Sequence, residues 1–112
     1  MTEPIHIDLA KQFSPTPLGR TIRQGKYSGE AFRELHLRKA LDEGRGVIVD
    51  LDGASGLSTG FLDEAFAGLV RDGTLTANQF AEQVTIISDK DPLIIDEIQT
   101  FVKRAAQQLL AG

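Results

Sequence analysis

Apolar and polar side chains alternate in Ile5-His6-Ile7-Asp8-Leu9, the period-two pattern of a half-buried strand with His6 on the face opposite Ile5 and Ile7. The pattern breaks after Phe13. Ser14-Pro15-Thr16-Pro17-Leu18-Gly19 holds two prolines and a glycine, which excludes a regular helix there. Arg20-Thr21-Ile22-Arg23 reads as a short second strand, closed by a turn at Gln24-Gly25. Ser28 is suited to cap a helix and Glu30 to sit in its first turn, so a helix is expected to about Glu43, stopping at Gly44. Its apolar residues Ala31, Phe32, Leu35, Leu37, Ala40 and Leu41 do not form one stripe. Such a helix either touches neighbours on two sides or bends.

Val47 to Leu51 is a near-continuous apolar run, which predicts a central parallel strand buried on both faces. A helix follows from Ser58, with Phe61, Leu62, Ala65, Phe66, Leu69 and Val70 on a single stripe, ending at Arg71-Asp72-Gly73. Thr76 with Gln79 three residues on matches a capping box. Val84-Thr85-Ile86-Ile87 is rich in β-branched residues and reads as a strand. Asp91-Pro92 opens a last helix whose apolar positions, Ile94 to Leu109, recur by threes and fours. Asp96 and Glu97 come early in it, Lys103 and Arg104 late, as the helix dipole favours. Strands alternating with helices predict an α/β fold: one mixed or parallel sheet of about four strands, with right-handed crossovers, forming one domain over residues 1–112.

Composition narrows the function classes. No cysteine is present, so disulfides and thiolate chemistry are excluded. No apolar run approaches a membrane span and no secretory h-region is recognisable, so a cytoplasmic protein without a membrane partner is expected. The net charge of −4 is uneven. Residues 1–45 carry eight basic and six acidic side chains, residues 46–112 four and ten. An acidic chain is a poor binder of nucleic acid, whose phosphates need a basic face. The local basic cluster is Arg20, Arg23 and Lys26. His6 and His36 lie far apart in sequence; His6 reads as a solvent-side strand residue and His36 as an exposed or hydrogen-bonded helix residue. Asp50 and Asp52, at a strand end, read as turn-fixing acids more readily than as a magnesium site. No metal and no cofactor are expected.

The chemistry-bearing stretch is the loop Gly53 to Gly60, with three glycines, two serines and a threonine leading into a helix. It follows the predicted central strand, the sheet edge where α/β folds place sites. It lacks the lysine and spacing of a P-loop and is no dinucleotide fingerprint. Ser58 and Thr59 supply hydroxyls at the helix start. Their structural role is N-capping; their functional role would be as phosphate acceptors, opposed by Asp63 and Glu64 about one turn on.

SGEAFRELHL (Ser28 to Leu37), VIVDLDG (Val47 to Gly53) and STGFLDEAFAGLVR (Ser58 to Arg71) resemble the STAS-like domain family of unknown function, related to the STAS domains of anti-sigma-factor antagonists and sulfate transporters. The resemblance spans about residues 18 to 73. In that family two serines usually precede the Phe-Leu-acid-Glu-Ala-Phe run, and Thr59 and Gly60 take their places here. In the antagonists a Ser or Thr at this helix start is phosphorylated by a partner kinase, and the matching position is Thr59. The antagonists' preceding Asp is Ser58 here and their following Ser is Gly60. The resemblance implies a small regulatory domain with no reaction of its own. Its expected partner is a protein, of the anti-sigma or histidine-kinase-type ATPase kind, docking around the helix at 58–71, with Asp63 and Glu64 among the candidate contacts.

Two further readings compete with partner switching. A nucleotide- or phosphate-ligand module would use the Gly53 to Gly60 loop, including Gly56 and Gly60, with Arg20, Arg23 or Lys26. Hydrolase or transferase catalysis lacks a Ser-His-Asp order, an activated cysteine or a metal motif. Self-association through an uncovered sheet edge is also compatible with the sequence.

Overall fold

The computed structural model describes residues 3–111. Strand β1 (Ile5–Asp8) pairs in parallel with β2 (Val47–Asp50), and β2 in parallel with β3 (Val84–Ile87), in the order β1-β2-β3. Between β1 and β2 lie the short α1 (Leu9–Gln12) and the longer α2 (residues 29–42). Between β2 and β3 lie α3 (residues 59–71) and α4 (Ala77–Gln83); α5 (Leu93–Ala111) follows β3. Right-handed crossovers through a 1-2-3 strand order place α2 and α3 on the same side of the sheet. Contacts of α3 with both α2 and α5 make the three long helices one layer.

The register sorts the strand residues by face. Ile5, Val47 and Val84 form one row under the helices, and Ile7, Val49 and Ile86 the next. His6, Ile48 and Thr85 form the row on the other face, where His6 and Thr85 are exposed and Ile48 half-buried. β2 is therefore central, as expected, but among the described residues helices cover one face only. Its apolar run reports flanking strands rather than two helix layers.

Among the described residues the sheet has three strands, not about four, and all are parallel. The missing one is the expected strand at Arg20–Arg23. Its backbone N–H groups are satisfied locally: those of Arg20 and Thr21 donate to the Gln24 side-chain oxygen at 2.7 and 3.2 Å, and that of Ile22 to the Glu30 carboxylate at 2.9 Å. With donors already engaged by nearby side chains, the segment has no need of a ladder.

Both α2 and α3 contain a π-helical turn. In α2, Gly29–Phe32 and Arg38–Asp42 are α-helical and Arg33–Leu37 is π-helical. In α3 the corresponding parts are Thr59–Leu62, Asp63–Ala67 and Gly68–Arg71. The wider turn resolves the untidy apolar pattern of α2. Phe32 and Leu37, five residues apart, are both buried, while Leu35 between them is 63% exposed. In α3 the stripe read from sequence is buried throughout, and the π turn adds Ala67 and Gly68, so that every residue from Ala65 to Val70 is buried. The turn also redirects a carbonyl. The Gly68 N–H donates to the Asp63 oxygen, five residues back, instead of to Glu64. The Glu64 carbonyl then accepts from the Arg33 guanidinium of the facing helix.

The core is aromatic where α2 meets α3. The Phe32 ring lies 5.2 Å from Phe13, 6.2 Å from Phe61 and 6.3 Å from Phe66, centroid to centroid. Gly29 sits where the two helices cross: a Cβ there would stand 2.5 Å from the Phe61 carbonyl oxygen and 2.9 Å from the Ala65 nitrogen. At the other end of the layer Thr76 and Gln79 form the expected capping box, with bonds of 2.9 and 3.1 Å.

His36 is placed differently from the sequence expectation. It is half-buried, stacked on Phe32 and edge-on to Phe13, both at 5.5 Å. Desolvation by these neighbours, with the charge of Lys39 adding to it, holds its pKa below the ordinary 6.5. The unfolded chain therefore binds this proton more readily than the folded one. The histidine's contribution is intact above pH 6.5 and is lost as pH falls through and below that value. Urea denaturation from pH 7.5 to 5.5 should show a falling midpoint, and His36→Gln should flatten that slope. Glu34, whose pKa is lowered first by its hydrogen bond from Arg38, begins to lose its contribution only below its ordinary 4.5, outside this window.

Candidate functional site

α3 begins at the end of the loop that leaves β2. Ser58 has extended backbone angles and its Oγ accepts the Phe61 N–H at 3.1 Å, so its hydroxyl is engaged as the N-cap. Thr59, the next residue, is exposed. The pair of hydroxyls therefore divides: Ser58 holds the helix and Thr59 faces outward.

Thr59 lies on the rim of a recess of about 410 Å³ between α3 and α5. Arg20, Asp63, Arg71, Phe101, Arg104 and Gln108 are among its other lining residues. Three separate parts of the chain supply the arginines. Arg20 comes from the loop before α2, Arg71 from the last turn of α3 and Arg104 from the middle of α5. Asp63 stands one turn from Thr59 and takes Arg20 at 2.7 Å and Arg71 at 3.3 Å. Its carboxylate is 19% exposed, against 48% for Arg20 and 37% for Arg71. Arg104 is exposed and has no ion pair among the described residues.

Gly60 makes the Arg20 approach feasible. A Cβ there would lie 3.1 Å from the Arg20 Cγ and 3.2 Å from its Nε, so the missing side chain leaves room for the arginine to cross the first turn of α3.

The sequence expectations separate here. Arg20, Thr59 and Asp63 do come together, and Gly60 contributes by absence of a side chain. Glu64 points elsewhere: its carboxylate faces Arg33 at 3.4 Å. Each of these acids, expected to oppose an anion at Thr59, has an arginine partner: Asp63 takes Arg20 and Arg71, and Glu64 takes Arg33. Gly56 is exposed in the loop, and a Cβ there would meet nothing within 4 Å. Arg23 is exposed and does not line the recess, and the Lys26 ammonium sits 5.1 Å from the centre of the Tyr27 ring. Arg71 and Arg104 went unnoticed as site residues. Arg71 lies in the last turn of its helix, where a cation is accounted for by the dipole alone, and Arg104 in α5 reads from sequence in the same way.

The strand-end acids are absorbed into turns. Asp8 accepts the Lys11 N–H at 3.1 Å, Asp50 that of Asp52 at 2.9 Å, and Asp52 that of Lys90 at 2.9 Å. Among the described residues no group of three His, Asp or Glu could hold a metal ion, and no helix is long and apolar enough to cross a membrane.

A parallel sheet under one layer of helices defines an α/β domain, here with a hydroxyl displayed where the helix after the central strand begins. The match to known families begins at the cap residue of α2, passes through both π turns and β3, and ends at the start of α5. The chain belongs to the family of STAS-like domains of unknown function, whose family model matches residues 28–93. That span lies later in the chain than the resemblance read from its motifs, which began near residue 18. No curated protein and no solved structure matches the chain.

Proposed function

We propose that the chain is a non-catalytic regulatory domain that docks a protein partner on the surface around the start of α3, and that phosphorylation of Thr59 switches this docking. The observation that carries the reading is the division of labour at the helix start. Ser58 is occupied by the Phe61 N–H, whereas Thr59 is exposed beside three arginines. A phosphoryl group on Thr59 would add close to two negative charges at pH 7 where guanidinium groups are already gathered. It would compete with Asp63 for Arg20 and change both the charge and the shape of the surface. The placement of the histidines supports a role without catalysis: His36 is packed against phenylalanine rings and His6 lies on the outer face of the sheet.

The partner class follows from the family resemblance, an anti-sigma or histidine-kinase-type ATPase. Affinity capture with wild-type, Thr59→Ala and Thr59→Glu proteins as baits tests the switch. Thr59→Ala should retain the partner that wild type retains, and Thr59→Glu should lose it by roughly tenfold, as one repelled or misplaced charge-assisted contact would give. Equal recovery on all three baits, together with phosphopeptide mapping that never finds Thr59 modified, would overturn the proposal.

A further inference from the structure

The recess between α3 and α5 has a charge count of its own. Arg20, Arg71 and Arg104 line it, and Asp63 is its acid. Three cations against one anion leave an excess of two positive charges, in a chain whose net charge is −4. Asp63 already plays the part of a ligand carboxylate. It gathers Arg20 and Arg71 from different elements and holds them at 2.7 and 3.3 Å, while Arg104 stands opposite with no ion pair among the described residues. Phe101 gives the recess an apolar wall. Arg20 and Arg104 both lie outside residues 28–93, so the cluster is not supplied by the part of the chain that defines the family.

We propose that this recess is an oxyanion site whose ligand is a phosphate monoester. Its charge of nearly two at pH 7 matches the two uncompensated guanidinium charges, and arginine is the side chain best shaped to grip such oxygens in pairs. The phosphoryl group has two sources with the same chemistry: a free phosphate ester, or Thr59 once phosphorylated. The first source does not depend on the regulatory reading; the second rests on it. The volume of about 410 Å³ exceeds what one phosphate group fills, which leaves room for an organic body beside Phe101.

Inorganic phosphate is the probe, added at constant ionic strength and followed by the backbone amides of residues 59–63 and the arginine Nε–H signals in heteronuclear NMR. The expected result is a saturable shift, weakened roughly tenfold in Arg104→Gln and in Arg71→Gln and unchanged in Arg23→Gln, which removes a cation outside the recess. Arg104 is exposed, so the well-dispersed spectrum of its variant serves as the check on folding. A second arm uses protein carrying phosphothreonine at 59. Loss of the response to added phosphate assigns the site to Thr59's own phosphoryl group, and its retention assigns it to a free ester. A response that stays linear in phosphate, or one equally strong in all three arginine variants, overturns the proposal. Equal partner capture on all three baits, with Thr59 never found phosphorylated, would sink the switch and leave phosphate binding standing, so the two failures are distinguishable.

Discussion

Phe32→Ala should cost the domain about 3–5 kcal/mol, the range for deleting a large aromatic from a packed core. The ring is fully buried and is the hub of the aromatic cluster, with Phe13, His36, Phe61 and Phe66 all within 6.3 Å. Its neighbours come from α2, α3 and the segment after α1, so no single element can move in to close the cavity. A loss of this size is a large share of the ~5–15 kcal/mol that a domain has in total. Urea denaturation by circular dichroism is the measurement, with Phe32→Leu as the milder comparison. A shift of less than about 1 kcal/mol for the alanine variant would mean that the cluster is not the centre of the fold.

Gly29→Ala should lower the stability by about 2–3 kcal/mol, although the same change in an unobstructed helix would raise it by ~0.5–1 kcal/mol. The sign discriminates. The new methyl would meet backbone rather than movable side chain: the Phe61 oxygen at 2.5 Å and the Ala65 nitrogen at 2.9 Å. Relief requires α2 and α3 to separate, which would also loosen Phe32 and the Arg33 bond to the Glu64 carbonyl. In a domain of this size the melting temperature should fall by roughly 10–20 °C. A variant as stable as wild type would show that the helices do not cross as closely as Gly29 implies. Gly60→Ala is the contrasting case, because its methyl would meet only the flexible Arg20 side chain.

Much of this fold can be read from apolar spacing. The stripe from Phe61 to Val70 is buried as a unit, the capping box at Thr76 and Gln79 forms, and Val84 to Ile87 is a strand. These signals are local, and nothing tertiary competes with them. The strand expected at Arg20–Arg23 fails for a reason that spacing does not carry. Gln24 and Glu30 supply acceptors from the side, and a side-chain acceptor leaves no periodic trace. In α2 the disorderly apolar set was itself the trace of the π turn, since one inserted residue puts Phe32 and Leu37 on the same side.

The site was half legible. A hydroxyl at the start of a helix after a buried strand is a sequence pattern, and Thr59 is exposed where it was expected. The recess beside it is a product of packing. Arg20, Arg71 and Arg104 are separated by tens of residues and meet only because α5 lies against α3 and the loop before α2 folds back over Gly60. The pairing of Asp63 was hidden for the same cause. Read along the helix it is an acid one turn from Thr59; in three dimensions it also pairs with two of the cations.

The bare side of the sheet, with His6, Ile48 and Thr85 turned away from the helices, has a practical meaning for anything joined to this domain. A neighbouring module or an immobilising support could rest against that wall without touching α3 or α5. Anchored from behind in this way, the molecule would still present Thr59 and its arginines to whatever arrives from solution.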